Sequence, residues 1–223
     1  MDLHLSPLEP DVRARLLFLK SDELLFQWND DMNNLQSKLI AHQDARIAFT
    51  KLDNDTGWLP SGVLRAGRNT RGAWVVYVAP PQIIKISTDQ NEVLTIPIPM
   101  SLFVGWAHRY YLFALKRKVF DVNSPVYCAP YPNVYDNGRI CWGSHKVPIV
   151  TPLNIGQTWK LFFATTFNAH IASGKTKTHS DNALDLLREL SAAKKRSFPA
   201  GELVKYAYSV NSCVDNLLRL TED

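Results

Sequence analysis

The sequence predicts an α+β fold, an antiparallel sheet with helices packed against it, and three observations carry that expectation. Runs rich in Val, Ile, Tyr and Phe fill the first half of the chain. Apolar residues at a period near 3.6 fill the last part. Between them lies Pro125–Pro152, whose five prolines, two glycines and two asparagines rule out long regular structure. Strands, then a loop, then helices is the order of an α+β domain. At 223 residues the chain is long enough for one domain with a full core, or for one domain with extensions.

Taken in order, Arg15–Lys20 (RLLFLK) and Leu24–Trp28 (LLFQW) are short apolar runs separated by Ser-Asp-Glu, and they read as a strand pair. Asn33–Asp44 reads as a short helix with Leu35, Leu39 and Ile40 on one face. Asp53–Gly57 and Arg65–Gly72 are turn-rich and read as loops. Ala73–Val78 and Ile83–Ser87 read as strands joined at Pro80–Pro81, and Tyr110–Leu115 as a further strand. Pro125–Pro152 is a long structured loop, and such loops inside compact domains are often functional. Trp159, Phe162, Phe163, Thr166, Phe167 and His170 predict one helical face. Ala183, Leu186, Leu187 and Leu190 predict a second helix, behind a Ser180–Asp181 cap. Leu203, Tyr206, Ala207, Val210, Cys213, Val214, Leu217 and Leu218 predict a third.

Composition excludes several classes. Of the residues, 46% are hydrophobic and 21% charged, and no window approaches 18 unbroken apolar residues, so no membrane span is expected. The start, MDLHLSPLEPDVRAR, lacks the basic end and apolar run of a secretory signal. The net charge is +4, with acids mixed among the bases. Two short basic clusters stand out, Lys116–Lys118 and Lys194–Arg196, and they read either as a solvated face or as a docking surface for an acidic partner. A basic stripe interleaved with aromatics is missing, so nucleic acid is not an expected partner. The cysteines are Cys128, Cys141 and Cys213, an odd number at long spacings. That argues against a disulfide framework and for a reducing cytoplasm, and no C-x-x-C pair suggests a metal site.

The informative segment is Tyr131–Gly143, YPNVYDNGRICWG. Asp136–Asn137–Gly138 supplies a turn, because Asn and Gly tolerate positive φ. The turn brings the chain back, so Asn133 is expected near Cys141 across eight residues of sequence. On these residues the chain resembles the ubiquitin-conjugating enzymes, whose pattern is His-Pro-Asn, a short Gly-containing turn, an aliphatic residue and the catalytic Cys. Pro132, Asn133, Val134, Gly138, Ile140 and Cys141 fall on that pattern with no insertion or deletion. The longer string, Pro125–Gly143, then Pro148 and Trp159–His170 (WKLFFATTFNAH), is similar to the prokaryotic branch called PRTRC system protein B. The resemblance spans roughly Trp58 to His170. Tyr131 departs from the pattern, since it stands where the eukaryotic enzymes have His.

The resemblance implies a ubiquitin-conjugating-enzyme-like fold: an antiparallel meander sheet, a long active-site loop and packed helices. Together with the elements read from the residues on either side of it, this gives an expected N-terminal strand-and-helix extension over 1–57 packed on the core, a ubiquitin-conjugating-like catalytic core over 58–179 and C-terminal helices over 180–223, in one compact domain overall. The resemblance also implies a cytoplasmic acyltransferase needing no cofactor. Its partners would be a ubiquitin-like modifier and a ThiF-type activating enzyme, with a JAB-type peptidase in the same operon, in a mobile-element or antiviral defence setting. Cys141 would be the nucleophile and Asn133 would either donate to the oxyanion or brace the loop. Tyr131, Tyr135, Asp136, Asn137, Trp142 and His145 would shape the loop or orient the substrate. A modifier-binding module without transfer, a plasmid-maintenance protein, and a redox protein pairing Cys128 with Cys141 remain the alternatives.

Overall fold

The computed structural model describes residues 7–21, 23–49, 57–69 and 71–219. The chain divides into two compact units, Met1–Gly57 and Trp58–Asp223.

In the first unit, β1 (Ala14–Phe18), β2 (Leu24–Asn29) and β3 (Leu35–Ile40) form an antiparallel sheet, followed by α1 (His42–Phe49). The strand pair at 15–28 forms as expected. The helix expected over Asn33–Asp44 does not. Leu35–Ile40 pairs with β2 along its whole length, from Leu24↔Ile40 to Asn29↔Leu35, and the helix starts only at His42. Sheet pairing next to a formed strand outweighs a weak helical period. The loop expected at Asp53–Gly57 lies outside the described residues, apart from Gly57.

The second unit holds a six-stranded sheet in the order β12-β10-β9-β8-β5-β4. Its strands are β4 (Val63–Asn69), β5 (Gly72–Ala79), β8 (Met100–Trp106), β9 (Arg109–Leu115), β10 (Val126–Cys128) and β12 (Lys205–Ala207). A smaller sheet sets β11 (Thr166–Phe167) and β7 (Val93–Ile98) on either side of β6 (Gln82–Thr88). The helices are α2 (Ile155–Ala164), α3 (Ala183–Ala192) and α4 (Val210–Arg219). The fold is therefore mixed α+β with mostly antiparallel pairing, as the sequence predicts. No helix is long and apolar enough to cross a membrane among the described residues.

In the second unit, four further expectations need correction. Arg65–Gly72 is not a loop: β4 and β5 pair up to Asn69↔Gly72 in a tight hairpin. Its arginines sit on an edge strand, where charge discourages further pairing. The helix predicted through His170 ends at Ala164. Thr165 is extended (φ −75°, ψ 161°) and its hydroxyl donates to the Phe162 carbonyl, so the chain leaves to pair with β6 through Thr166↔Ser87 and Phe167↔Thr88. The helix predicted from Leu203 starts at Val210, because Lys205–Ala207 is a strand on β10. The cap of α3 is Asn182, whose side chain accepts from the Leu184 N–H, rather than Ser180–Asp181.

The large sheet is covered on both faces, and strand alternation sorts its side chains between them. Val75, Ala79, Phe103, Tyr110 and Leu112 face a core shared with α2 and α3. Val76, Val78, Leu102, Val104, Phe113 and Leu115 face a second core shared with Val210, Cys213 and Val214 of α4. Every residue of β8 is buried as a result. Each fully buried Leu or Phe contributes about 1.5–3 kcal/mol. The helix faces thus fix the central strands, and β9 presents a rigid ledge to the loop that follows.

Candidate functional site

After β10 the chain runs through Ala129, Pro130, Tyr131 and Pro132, all buried. Tyr131 is 1% exposed, with Phe163 edge-on at 5.3 Å and Phe162 at 6.3 Å between ring centroids. Burial holds its phenol well above the usual tyrosine range. Tyr131 is thus a core wedge beneath α2 that sets where the loop begins.

From there Asn133–Cys141 forms a miniature hairpin. Val134 and Ile140 bridge, the Tyr135 N–H donates to the Arg139 carbonyl at 2.8 Å, and the Gly138 N–H donates to the Tyr135 carbonyl at 2.9 Å. Gly138 has φ +80°, and an added Cβ would lie 2.2 Å from the Phe113 ring, so this turn needs glycine. The Asn137 side chain accepts from the Arg139 N–H at 3.1 Å and closes the turn. The hairpin is tied to β9 where β10 stops: the Leu112 N–H donates to the Gly138 carbonyl and the Ile140 N–H to the Tyr110 carbonyl, both at 2.8 Å.

This geometry puts Asn133 and Cys141 opposite each other. The Cys141 N–H donates to the Asn133 carbonyl at 2.8 Å, and both residues line one pocket of about 160 Å³. Asn133 is buried and left-handed (φ 62°), a conformation asparagine adopts more readily than most residues. Its Nδ2 donates to the Thr166 carbonyl at 2.8 Å, so the carboxamide braces the hairpin to the segment leaving α2. The Cys141 thiol is half-exposed and free.

The other predicted residues divide between the pocket and its scaffold. Tyr135 lies beside Cys141, whose hydrogen bonding and charge hold the Tyr135 phenol above its ordinary value. The Arg139 guanidinium lies over the Tyr135 ring at 4.9 Å. His145 lines the pocket, its Nδ1 3.0 Å from the Trp142 carbonyl. Trp142 also lines it and packs edge-on against Tyr110 (5.7 Å) and Phe162 (6.2 Å). Asp136 does not reach the pocket wall: its carboxylate pairs with the Lys175 ammonium at 2.5 Å. Cys128 is in β10, its thiol pushed up by burial, and it forms no disulfide with Cys141.

Sequence reasoning missed Thr165, Thr166 and Asn168, which form the far wall of the pocket. The helical period through Phe167 concealed the end of α2 that brings them there. It also missed Lys175, a buried lysine at the root of the hairpin turn, and Arg139. Among the described residues, no group of three or more His, Cys, Asp or Glu side chains is placed to hold a metal ion.

The site therefore offers a solvent-reachable thiol, a phenol beside it, a braced carboxamide and a narrow pocket bordered by His145. A family model described as prokaryotic E2 family D matches residues 35–206. No curated protein and no solved structure matches the chain significantly.

Proposed function

The chain belongs to prokaryotic E2 family D, and from that membership we propose that Cys141 carries a ubiquitin-like modifier as a thioester and passes it to an acceptor amine. The family supports a ubiquitin-conjugating role, with a modifier and an activating enzyme as partners in general. The finer reading is that a ThiF-type enzyme loads the modifier, in an operon of the PRTRC or antiviral kind. One observation carries the thioester reading: the half-exposed Cys141 sulfur shares a pocket with the Asn133 carboxamide.

Thiolate is a good nucleophile for acyl exchange. The Cys141 sulfur attacks the thioester carbonyl of the loaded modifier and forms a tetrahedral oxyanion. Collapse breaks the old C–S bond and releases the activating enzyme's thiolate. An acceptor amine then attacks the new thioester, a C–N bond forms, and Cys141 leaves and regains its proton. An oxyanion donor is typically worth about 3–4 kcal/mol. Asn133 serves chiefly by holding the hairpin, since its Nδ2 already donates to Thr166. The Tyr135 phenol beside the sulfur is placed to stabilise it as it gains charge, and His145 borders the path of the acceptor.

The same Asn133 bond favours one second reading, a module that holds the modifier without transferring it. Incubation with a ThiF-type activating enzyme, its ubiquitin-like protein and ATP separates the two. Transfer predicts an adduct that thiol reductant removes and that Cys141→Ala does not form. An adduct undiminished in Cys141→Ala sinks the thioester reading, and modifier binding without any adduct selects the silent module.

A further inference from the structure

The two basic runs of the sequence meet in space. Lys116, Arg117 and Lys118 continue from the end of β9, and Arg196 follows α3, yet all four line one cleft of about 490 Å³. Its inner wall is aliphatic: Ile98, Met100, Leu115 and Leu203 are buried. Met100 and Leu115 are register partners across β8 and β9, so the sheet itself fixes that wall.

Three of these four charges lack an acidic partner among the described residues. Among the described residues, no Asp or Glu lines the cleft. Arg117 pairs with Asp121 at 3.3 Å in an exposed contact, while Lys116, Lys118 and Arg196 have no acidic partner among the described residues. Like charges gathered at a low-dielectric wall repel one another and focus a positive potential into the concavity. A ligand that satisfies both features brings carboxylates for the rim and an aliphatic side chain for the wall.

We propose that this cleft is a docking site for an acidic peptide segment of a partner protein, anchored by a Leu-type side chain. The volume fits a few side chains, within the range of ligand pockets. Nucleic acid fits less well: Phe198 is the single aromatic residue lining the cleft and is half-buried, so a platform for stacked bases is missing. The cleft shares no lining residue with the Cys141 pocket. Both are built on β9, the hairpin bonding to Tyr110 and Leu112 and the cleft beginning at Leu115, about 10 Å further along the strand. A partner held here leaves the thiol open. The proposal stands whether or not Cys141 forms a thioester.

Fluorescence anisotropy of the full chain with a short fluorescein-labelled peptide alternating Glu and Leu tests it. The comparison probes are a Glu/Ser peptide of equal charge and a labelled single-stranded oligonucleotide. The Glu/Leu peptide is expected to bind best, and the double variant Lys118→Glu, Arg196→Glu to bind it about tenfold or more weakly. Both side chains are exposed, so thermal melting should not change, and Cys141→Ala should bind the peptide like the parent. The proposal is overturned by no peptide binding, by equal binding to parent and double variant, or by loss of binding in Cys141→Ala. Equal binding of the Glu/Ser peptide, or tighter binding of the oligonucleotide, overturns it as well.

Discussion

The hairpin Asn133–Cys141 and the helix α4 each bring a cysteine to the same sheet, and the outcomes are opposite. Cys213 points from α4 into the core on one face, 3% exposed, where burial pushes its thiol up to about 12. There it acts as a small hydrophobe. Cys141 ends a hairpin that sends Val134 and Ile140 into the core on the other face and leaves the sulfur half-exposed beside Tyr135. The helix satisfies its backbone internally and buries its apolar stripe. The hairpin satisfies its backbone against β9 and so can hold a polar side chain at the surface. Exposure follows from which of these two ways of using the sheet a cysteine inherits.

The contrast should be largest in alkylation. A raised thiol pKa lowers the thiolate fraction at any pH below it. At pH 8, only roughly one in 10,000 Cys213 thiols would be ionised. Iodoacetamide at that pH should label Cys141 first, Cys128 more slowly because burial raises its thiol too, and Cys213 only once denaturant opens the core. Peptide-mapping mass spectrometry reads the order, and comparable rates at Cys141 and Cys213 in the folded protein would break the comparison.

Gly138→Ala should do the next greatest damage. Positive φ and the Phe113 ring both oppose a Cβ there, at a combined cost of about 2–4 kcal/mol. Urea denaturation measures it, and a loss under about 1 kcal/mol would mean the turn is not held against β9 as described. Asp136→Asn removes the carboxylate from Lys175, whose side chain is 2% exposed while that of Asp136 is 95% exposed. Water reaches one side of the pair, so about 1–3 kcal/mol is expected, nearer the lower end. Lys175→Met should recover part of that loss in the double variant. Smallest is Tyr135→Phe, which should slow Cys141 alkylation a few-fold by removing the phenol beside the sulfur, and leave the urea midpoint unchanged.

The hairpin was legible because its information is local. Asn133 and Gly138 take the positive φ that the turn requires, and the backbone bond that sets Cys141 opposite Asn133 lies within the same short segment. What was illegible depends on partners far along the chain. Leu35–Ile40 carries a helical spacing but becomes a strand because β2 offers it a ladder. Val93–Trp106 contains β7 and β8 and contributes buried residues to both cores, yet Pro97 and Pro99 obscure its strand pattern. The end of α2 is set by pairing between Thr166 and Ser87, and that distant pairing also supplies the far wall of the Cys141 pocket and the carbonyl that Asn133 grips. The hairpin that carries Cys141 could be read from a motif, while the pocket around it is a tertiary product.

Replacing sulfur by oxygen at one position tests the central claim most directly. Cys141→Ser, incubated with the activating enzyme, modifier and ATP, should yield an adduct that survives thiol reductant, because an oxyester has replaced a thioester. Fragmentation mass spectrometry should place the modifier's C-terminal carbonyl on residue 141. A reductant-sensitive adduct that persists in this variant, mapped to Cys128 or Cys213, would contradict the account.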